Sequence, residues 1–197
     1  MEIKIIGIDA VQGYLAQMDA AKNRAIYRSI NKVAAKTRTA GSKAIRKSVK
    51  LKAAYLNAPG RFVLTKANPK KFSAEITAQD RATRLATYGA KQLTAKAGPR
   101  AMGDPLRGIA RGRKAAGVSV NVSGTRKKMA EAFMVPLKNG NGMGVFVRTG
   151  PGKNDIKHLY GPSVNQVFRT LMPEITKTTA SDLQDAFLTQ LAYERKA

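Results

Sequence analysis

The chain has 197 residues, 43% of them hydrophobic, enough for one sizeable core or two small ones. Lys and Arg number 36 against 12 Asp and Glu, a formal net charge of +24, so self-repulsion must be offset by a polyanion or by acidic neighbours. There is no Cys, which excludes disulfides, thiol catalysis and most structural zinc sites.

No apolar run approaches the roughly 20 residues of a membrane span. The opening MEIKIIGID is too short and too acidic for a signal peptide. A soluble protein, neither secreted nor membrane-bound, is expected. The charge is uneven: residues 1–60 carry 12 basic and 3 acidic side chains, residues 61–130 carry 16 and 3, and residues 131–197 carry 8 and 6. Different parts of the chain therefore face different partners.

Residues 2–6 alternate, with Ile3 and Ile5 on one face, and read as a strand. Gly7 breaks it, and Asp9 can cap the helix after it. Residues 10–50 hold no Pro and are rich in Ala, Lys, Arg and Gln, so they predict a long helix. Its apolar stripe is Val11, Leu15, Met18, Ala25, Ile30, Val33, Thr37, Ala40 and Ala44. Gly13 and Gly41 are places where it could kink or break. Its other face carries a run of cations that includes Arg28, Lys32 and Lys36. This is either a solvated surface or a face that meets DNA or an acidic neighbouring subunit.

Asn57-Ala58-Pro59-Gly60 is a turn. Residues 61–65 and 72–77 predict a hairpin bent at Asn68-Pro69, with Phe72, Ala74 and Ile76 on one face. Residues 96–117 hold five Gly, two Pro and the cations Arg100, Arg107, Arg111, Arg113 and Lys114. Few of them could bury, so a flexible basic loop is expected. It is either a disordered insertion or an arm that orders on a phosphate backbone or a partner protein.

Residues 118–122 alternate as a half-buried strand. Phe133, Val135 and Leu137 alternate next, Asn139-Gly140-Asn141-Gly142 turns, and Val145 and Val147 complete a hairpin. Residues 156–160 are extended. Pro162 fits the first position of a helix carrying Val164, Val167, Phe168 and Leu171, which Pro173 should kink or break. A second helical run over 174–195 places Ile175, Leu183, Phe187, Leu188 and Leu191 on its apolar side.

Chemistry is absent from this pattern. The single His158 has no second ligand or triad partner nearby in sequence. Gly150-Pro151-Gly152-Lys153-Asn154 fails as a phosphate loop, because Val147 stands where the first Gly belongs and Asn154 where Ser or Thr belongs. The carboxylates, among them Glu75, Asp80, Asp104, Glu131 and Asp155, show no suggestive spacing, so no catalytic, cofactor or metal site and no enzyme is expected; a nuclease whose carboxylates meet only in space is a remote third reading. Aromatics are 6% with no Trp, so any DNA contact should run through phosphates without sequence readout.

Four pieces stand in order along the chain. They are the basic N-terminal helix, LATYGAKQ at 85–92, GVSV at 117–120, and the AFMVPL and VFVR strands ending in HLYGPSV at 158–164. Together they resemble the phage minor tail protein Z family, the tail completion proteins of long-tailed phages, over nearly the whole chain. The signature residues are Phe146, Arg148, Leu159, Tyr160, Gly161, Pro162 and Ser163, expected to be structural. The stretch 98–115 departs from the family in length and in Gly and Arg content.

The resemblance implies a virion tail protein assembled in the host cytoplasm, forming a homo-oligomeric, hexameric ring at the head-proximal end. Its implied partners are the tail terminator, the tail tube, the tape measure and double-stranded DNA, with no cofactor and no membrane. The expected fold is one α+β domain over 1–197: a mostly antiparallel sheet of five to seven strands packed against a long N-terminal helix and a C-terminal helical segment. Candidate DNA or partner contacts are Arg28, Lys32, Lys36, Arg107, Arg111, Arg113 and Lys114. The alternative is a basic nucleic-acid-binding protein without sequence preference.

Overall fold

The computed structural model describes residues 2–6, 20–138, 142–152 and 154–194. The fold is α+β, as expected, but among the described residues its strands are shared among four small antiparallel sheets instead of one. The chain divides into two compact units, Met1–Arg46 with Lys52–Asp80 and Val164–Ala197, and Lys47–Leu51 with Arg81–Ser163. The expected features at Gly7, Asp9, Val11, Gly13, Leu15 and Met18, and at Asn139-Gly140-Asn141, lie outside the described residues.

In the first unit, helix α1 spans Ala20–Ser48. Its Ala-, Lys- and Arg-rich sequence favours the helix, and one stripe buries: Ala25, Ile26, Ile30, Val33, Ala34, Thr37, Gly41 and Ile45. The stripe lies one residue off the expected one at its C-terminal end, where Ala40 is exposed and Gly41 and Ile45 are buried. Gly41 does not break the helix. A Cβ there would come within 3.0 Å of Phe168 and 3.1 Å of Phe62. Those two rings meet edge to face at 4.8 Å, so the glycine is a close-packing position.

Strands β1 (Glu2–Ile6), β2 (Phe62–Thr65) and β3 (Ser73–Ala78) form a sheet in the order β1-β3-β2. The expected β2–β3 hairpin is present, with Leu64 opposite Ile76. Ala74, Ile76 and Ala78 bury on one face, which is what period-two alternation requires. Short helix α2 (Ala53–Asn57) precedes β2. Asn31 clamps the bend after β2 with two hydrogen bonds, donating to the Ala67 carbonyl at 2.9 Å and accepting from its N–H at 2.8 Å.

Helices α3 (Val164–Ile175) and α4 (Thr179–Glu194) close the first unit. Pro173 sits inside α3, which ends two residues later. The helix starts at Val164, so Pro162 precedes it by two residues instead of opening it. Ile26, Ile30, Ala34, Ala67 and Ala74 form a core cluster that Leu183 and Phe187 of α4 pack against. Leu188, expected on that apolar side, is exposed. Full burial of an Ile contributes about 1.5–3 kcal/mol, so Ile26 and Ile30 anchor α1 here.

In the second unit, β5 (Lys91–Lys96), β6 (Arg113–Asn121) and β7 (Arg126–Met129) form one sheet. Strands β8 (Ala132–Pro136), β9 (Met143–Arg148) and β10 (Ile156–His158) form another. The two-residue strands β4 (Thr83–Arg84) and β11 (Tyr160–Gly161) pair with each other. The expected β8–β9 hairpin is present, with Phe133 opposite Phe146. Its buried β8 positions are Ala132 and Met134; Phe133 and Val135 are only half-buried. Residues 113–117, expected as loop, are the first half of β6. Strand β7 is not expected from sequence because Arg126-Lys127-Lys128-Met129 lacks an apolar pattern; backbone pairing to β6 alone places it.

Candidate functional site

The basic face of α1 is partly spoken for. Arg28 and Arg24 both donate to the Glu194 carboxylate at the end of α4, Arg24 at 2.9 Å. Lys36 pairs with Asp182 at 2.7 Å. The cations beside Glu194 and Asp182 hold both carboxyls below their ordinary values, chiefly through the side-chain hydrogen bonds of Arg24 and Lys36. Of the three expected contact residues on the helix, Arg28 and Lys36 therefore tie α1 to α4. Lys32 is exposed and makes no ion pair among the described residues. Lys43, Arg46 and Lys47 are exposed further along.

The loop cations also divide. Arg107 binds Asp104 at 2.5 Å within a 3-10 turn over Pro105–Arg107, and that hydrogen bond is the main cause holding Asp104 below its ordinary value. Arg113 donates to the Thr94 hydroxyl at 2.7 Å and carbonyl at 3.2 Å across the β5–β6 pair. Arg111 and Lys114 are exposed. The candidate contacts Arg28, Lys32 and Lys36 thus belong to one unit, and Arg107, Arg111, Arg113 and Lys114 to the other.

The signature residues do something different: they join pieces of the second unit. Tyr88, fully buried, ends a 3-10 turn over Leu85–Tyr88 and donates from its hydroxyl to the Pro162 carbonyl at 2.7 Å. Its ring lies so close over Gly161 that a Cβ there would stand 2.6 Å from it, a position only glycine tolerates. The Leu159 N–H donates to Val145 at 2.8 Å and its carbonyl accepts from Leu85 at 3.2 Å. Gln92 links three of the four resembling pieces. Its amide donates to Gly117 at 2.8 Å while its oxygen accepts from the Met134 N–H at 3.0 Å. Ser163 is buried at the end of this run.

On one face of β8–β9–β10 runs a ladder of rings. Phe133 stacks near Phe146 at 6.4 Å, Phe146 on His158 at 4.5 Å, and His158 on Tyr160 at 4.5 Å. The Arg148 guanidinium lies 5.8 Å from the centre of the Phe133 ring and donates to Gly152 at 3.1 Å. The buried Nε2 of His158 has no hydrogen-bond partner among the described residues. Burial, and then the nearby Arg84, push the imidazole below its ordinary value. His158 sits in a ring stack, and among the described residues no carboxylate is hydrogen-bonded to its Nε2 to orient it as a base. Among the described residues, no three His, Asp or Glu side chains group to hold a metal ion, and no helix is long and apolar enough to cross a membrane.

Sequence reasoning missed the roles of Glu194 and Asp182. Their partners lie more than a hundred residues away, so spacing carries no signal of them. Tyr88 and Gln92 stand inside the LATYGAKQ fragment, yet nothing local marks them as ties. No curated protein and no solved structure matches the chain. The family model of prophage minor tail protein Z matches residues 5–196. Nearly the whole chain is matched, its fragments interlock through Tyr88 and Gln92, and the protein belongs to that family of phage minor tail proteins, placing it in the virion tail.

Proposed function

We propose that this minor tail protein is a ring-forming tail completion subunit at the head-proximal end of a long tail, assembled in the host cytoplasm. In this reading it contacts the terminator or tube, the tape measure and the DNA end. The observation that carries it is the family match over residues 5–196. Closed rings of identical subunits are the usual way a tail repeats a subunit around its axis. A ring lined by Lys32, Lys43 and Arg46, all exposed, would attract a DNA end through its phosphates without reading sequence.

The test is quantitative mass spectrometry of nuclease-treated particles with heads and tails separated. A fixed copy number of about six in the tail fraction, the hexameric closed ring that the family resemblance implies, supports the reading. Absence from tails while the chain is abundant in lysate overturns it. A second reading, a free nucleic-acid binder without sequence preference, is favoured only by the net charge of +24. It requires tight binding by the monomer with a steep salt dependence. Replacing Lys32 and Arg46 by Ala should then each lower that slope by about one, and an unchanged slope removes the DNA contact from both readings. The same measurement on Arg111 and Lys114 tests the loop.

A further inference from the structure

Residues 98–112 form a closed loop. The Ala97 N–H donates to Gly112 at 2.8 Å, and the Gly112 N–H to Ala101 at 2.8 Å. Asp104 and Ile109 exchange two backbone hydrogen bonds, at 2.7 and 2.8 Å. Between them the Asp104 side chain caps the 3-10 turn, accepting from the Arg107 N–H, and Pro105 opens that turn. Gly103, at φ 73°, lets the chain pass so close to Ala110 that a Cβ would stand 2.6 Å from its backbone. Ile109 points inward and is 4% exposed.

All this order holds two large apolar side chains in water. Met102 is 80% exposed and Leu106 78% exposed, the most exposed of the large apolar side chains described. Arg100 and Arg111 are exposed on the two limbs that flank them. A chain that only needed a connection would have no reason to present two such side chains on a hydrogen-bonded turn.

We propose that this loop is a docking knob for an acidic protein surface with an apolar recess. Met102 and Leu106 fill the recess, and Arg100 and Arg111 meet its acidic rim. An apolar centre ringed by charge is the anatomy of a protein interface, and Met adapts to an irregular pocket. Charge decides against a second copy. Another copy brings net +24, so its surface as a whole repels Arg100 and Arg111. Charge and shape also decide against a phosphate backbone. Phosphate offers nothing to Leu106, and the Arg107 at the tip is neutralised by Asp104.

The test places a photo-reactive amino acid at position 106 of the full chain. Particle-producing cells and purified tails are both irradiated, so the outcome does not depend on the tail assignment. That assignment fails separately, if the unmodified chain is missing from tails. The expected result is one cross-linked protein with a net negative charge, and weaker cross-linking when Arg100 and Arg111 are both replaced by Ala. Cross-links to a second copy or to DNA, or none at all, overturn the proposal. Independently, Leu106→Asp should lower co-purification with the cross-linked protein about tenfold or more, the scale of losing one interface anchor, with the melting temperature of the purified chain unchanged. If Leu106→Asp melts early, Leu106→Ser serves in its place. Undiminished co-purification by a folded variant overturns the proposal.

Discussion

Helix α1 and the junction around Tyr88 and Gln92 are held by different physics. On α1, the cations are long, half-exposed side chains reaching two carboxylates on α4. The Lys36–Asp182 pair is exposed and individually weak because water screens it, whereas Glu194 is buried and depends on its two arginines to offset the loss of water. At the junction, the Tyr88 and Gln92 side chains satisfy part-buried backbone groups, and glycines let rings and strands come closer than any Cβ permits. Losing one partner there leaves the other unsatisfied, at its full desolvation cost. The signature residues fall in the second region.

The comparison is tested most severely by Gly117→Ala. The residue has φ 97°, and a Cβ would press on the Met129 carbonyl and stand 2.9 Å from Ala130. Backbone strain and overlap with a neighbouring strand should together destabilise by about 3 kcal/mol or more, read by chemical denaturation. A loss below about 1 kcal/mol would mean the β6–β7 pair yields more easily than its close packing implies. Next comes Gln92→Leu, which strands the Gly117 carbonyl and the Met134 N–H. A loss of about 2–4 kcal/mol is expected for the two groups together. Tyr88→Phe keeps the ring over Gly161 and removes the hydroxyl's bond to Pro162, so about 1–2 kcal/mol should go.

Acidification separates the two regions by pH window. Folded His158 holds its proton less tightly than the unfolded residue. The unfolded chain therefore binds more protons below the ordinary value of about 6.5, and stability falls as pH drops through that range. Folded Glu194 and Asp182 likewise bind protons less tightly than when unfolded. Their contribution is present at neutral pH and is lost only below the ordinary carboxylate values of about 4. Thermal melts should show a first decline that His158→Phe removes. A second decline, at lower pH, should shrink in Glu194→Gln and Asp182→Asn. Coincident declines would sink this assignment. The smallest effect is that of Lys32→Ala, where stability should move by less than about 0.5 kcal/mol. A larger loss would show that the helix cation is tied within the fold after all.

Much of the architecture was legible. Period-two alternation marked the β2–β3 and β8–β9 hairpins, and three- and four-residue spacing marked α1 and the buried Val164, Val167 and Phe168 of α3. Each is a local consequence of side-chain direction. Strand β7 was not legible, because its pairing comes from β6 and its own side chains are cationic. Gly41 looks like a break in sequence, since only the Phe62 and Phe168 rings reveal why a small residue is needed there. Of the candidate contacts, spacing placed Arg28, Lys32 and Lys36 on one exposed face but gave no sign that Glu194 and Asp182 would claim two of them. Met102 and Leu106 carry no mark in the sequence, because exposure is a property of the folded loop and not of the residue.

By itself, the sequence determined the class, the family, the excess of positive charge and the periodicity of most elements, because these depend on composition and on neighbours a few residues apart. The tertiary structure alone decided which cations are bound, which glycines are needed for contact, and which apolar side chains are left in water. Those facts depend on residues brought together from distant parts of the chain, such as Arg28 with Glu194 and Tyr88 with Pro162. Local pattern does not encode that meeting; the closing of backbone hydrogen bonds and the packing of the core do.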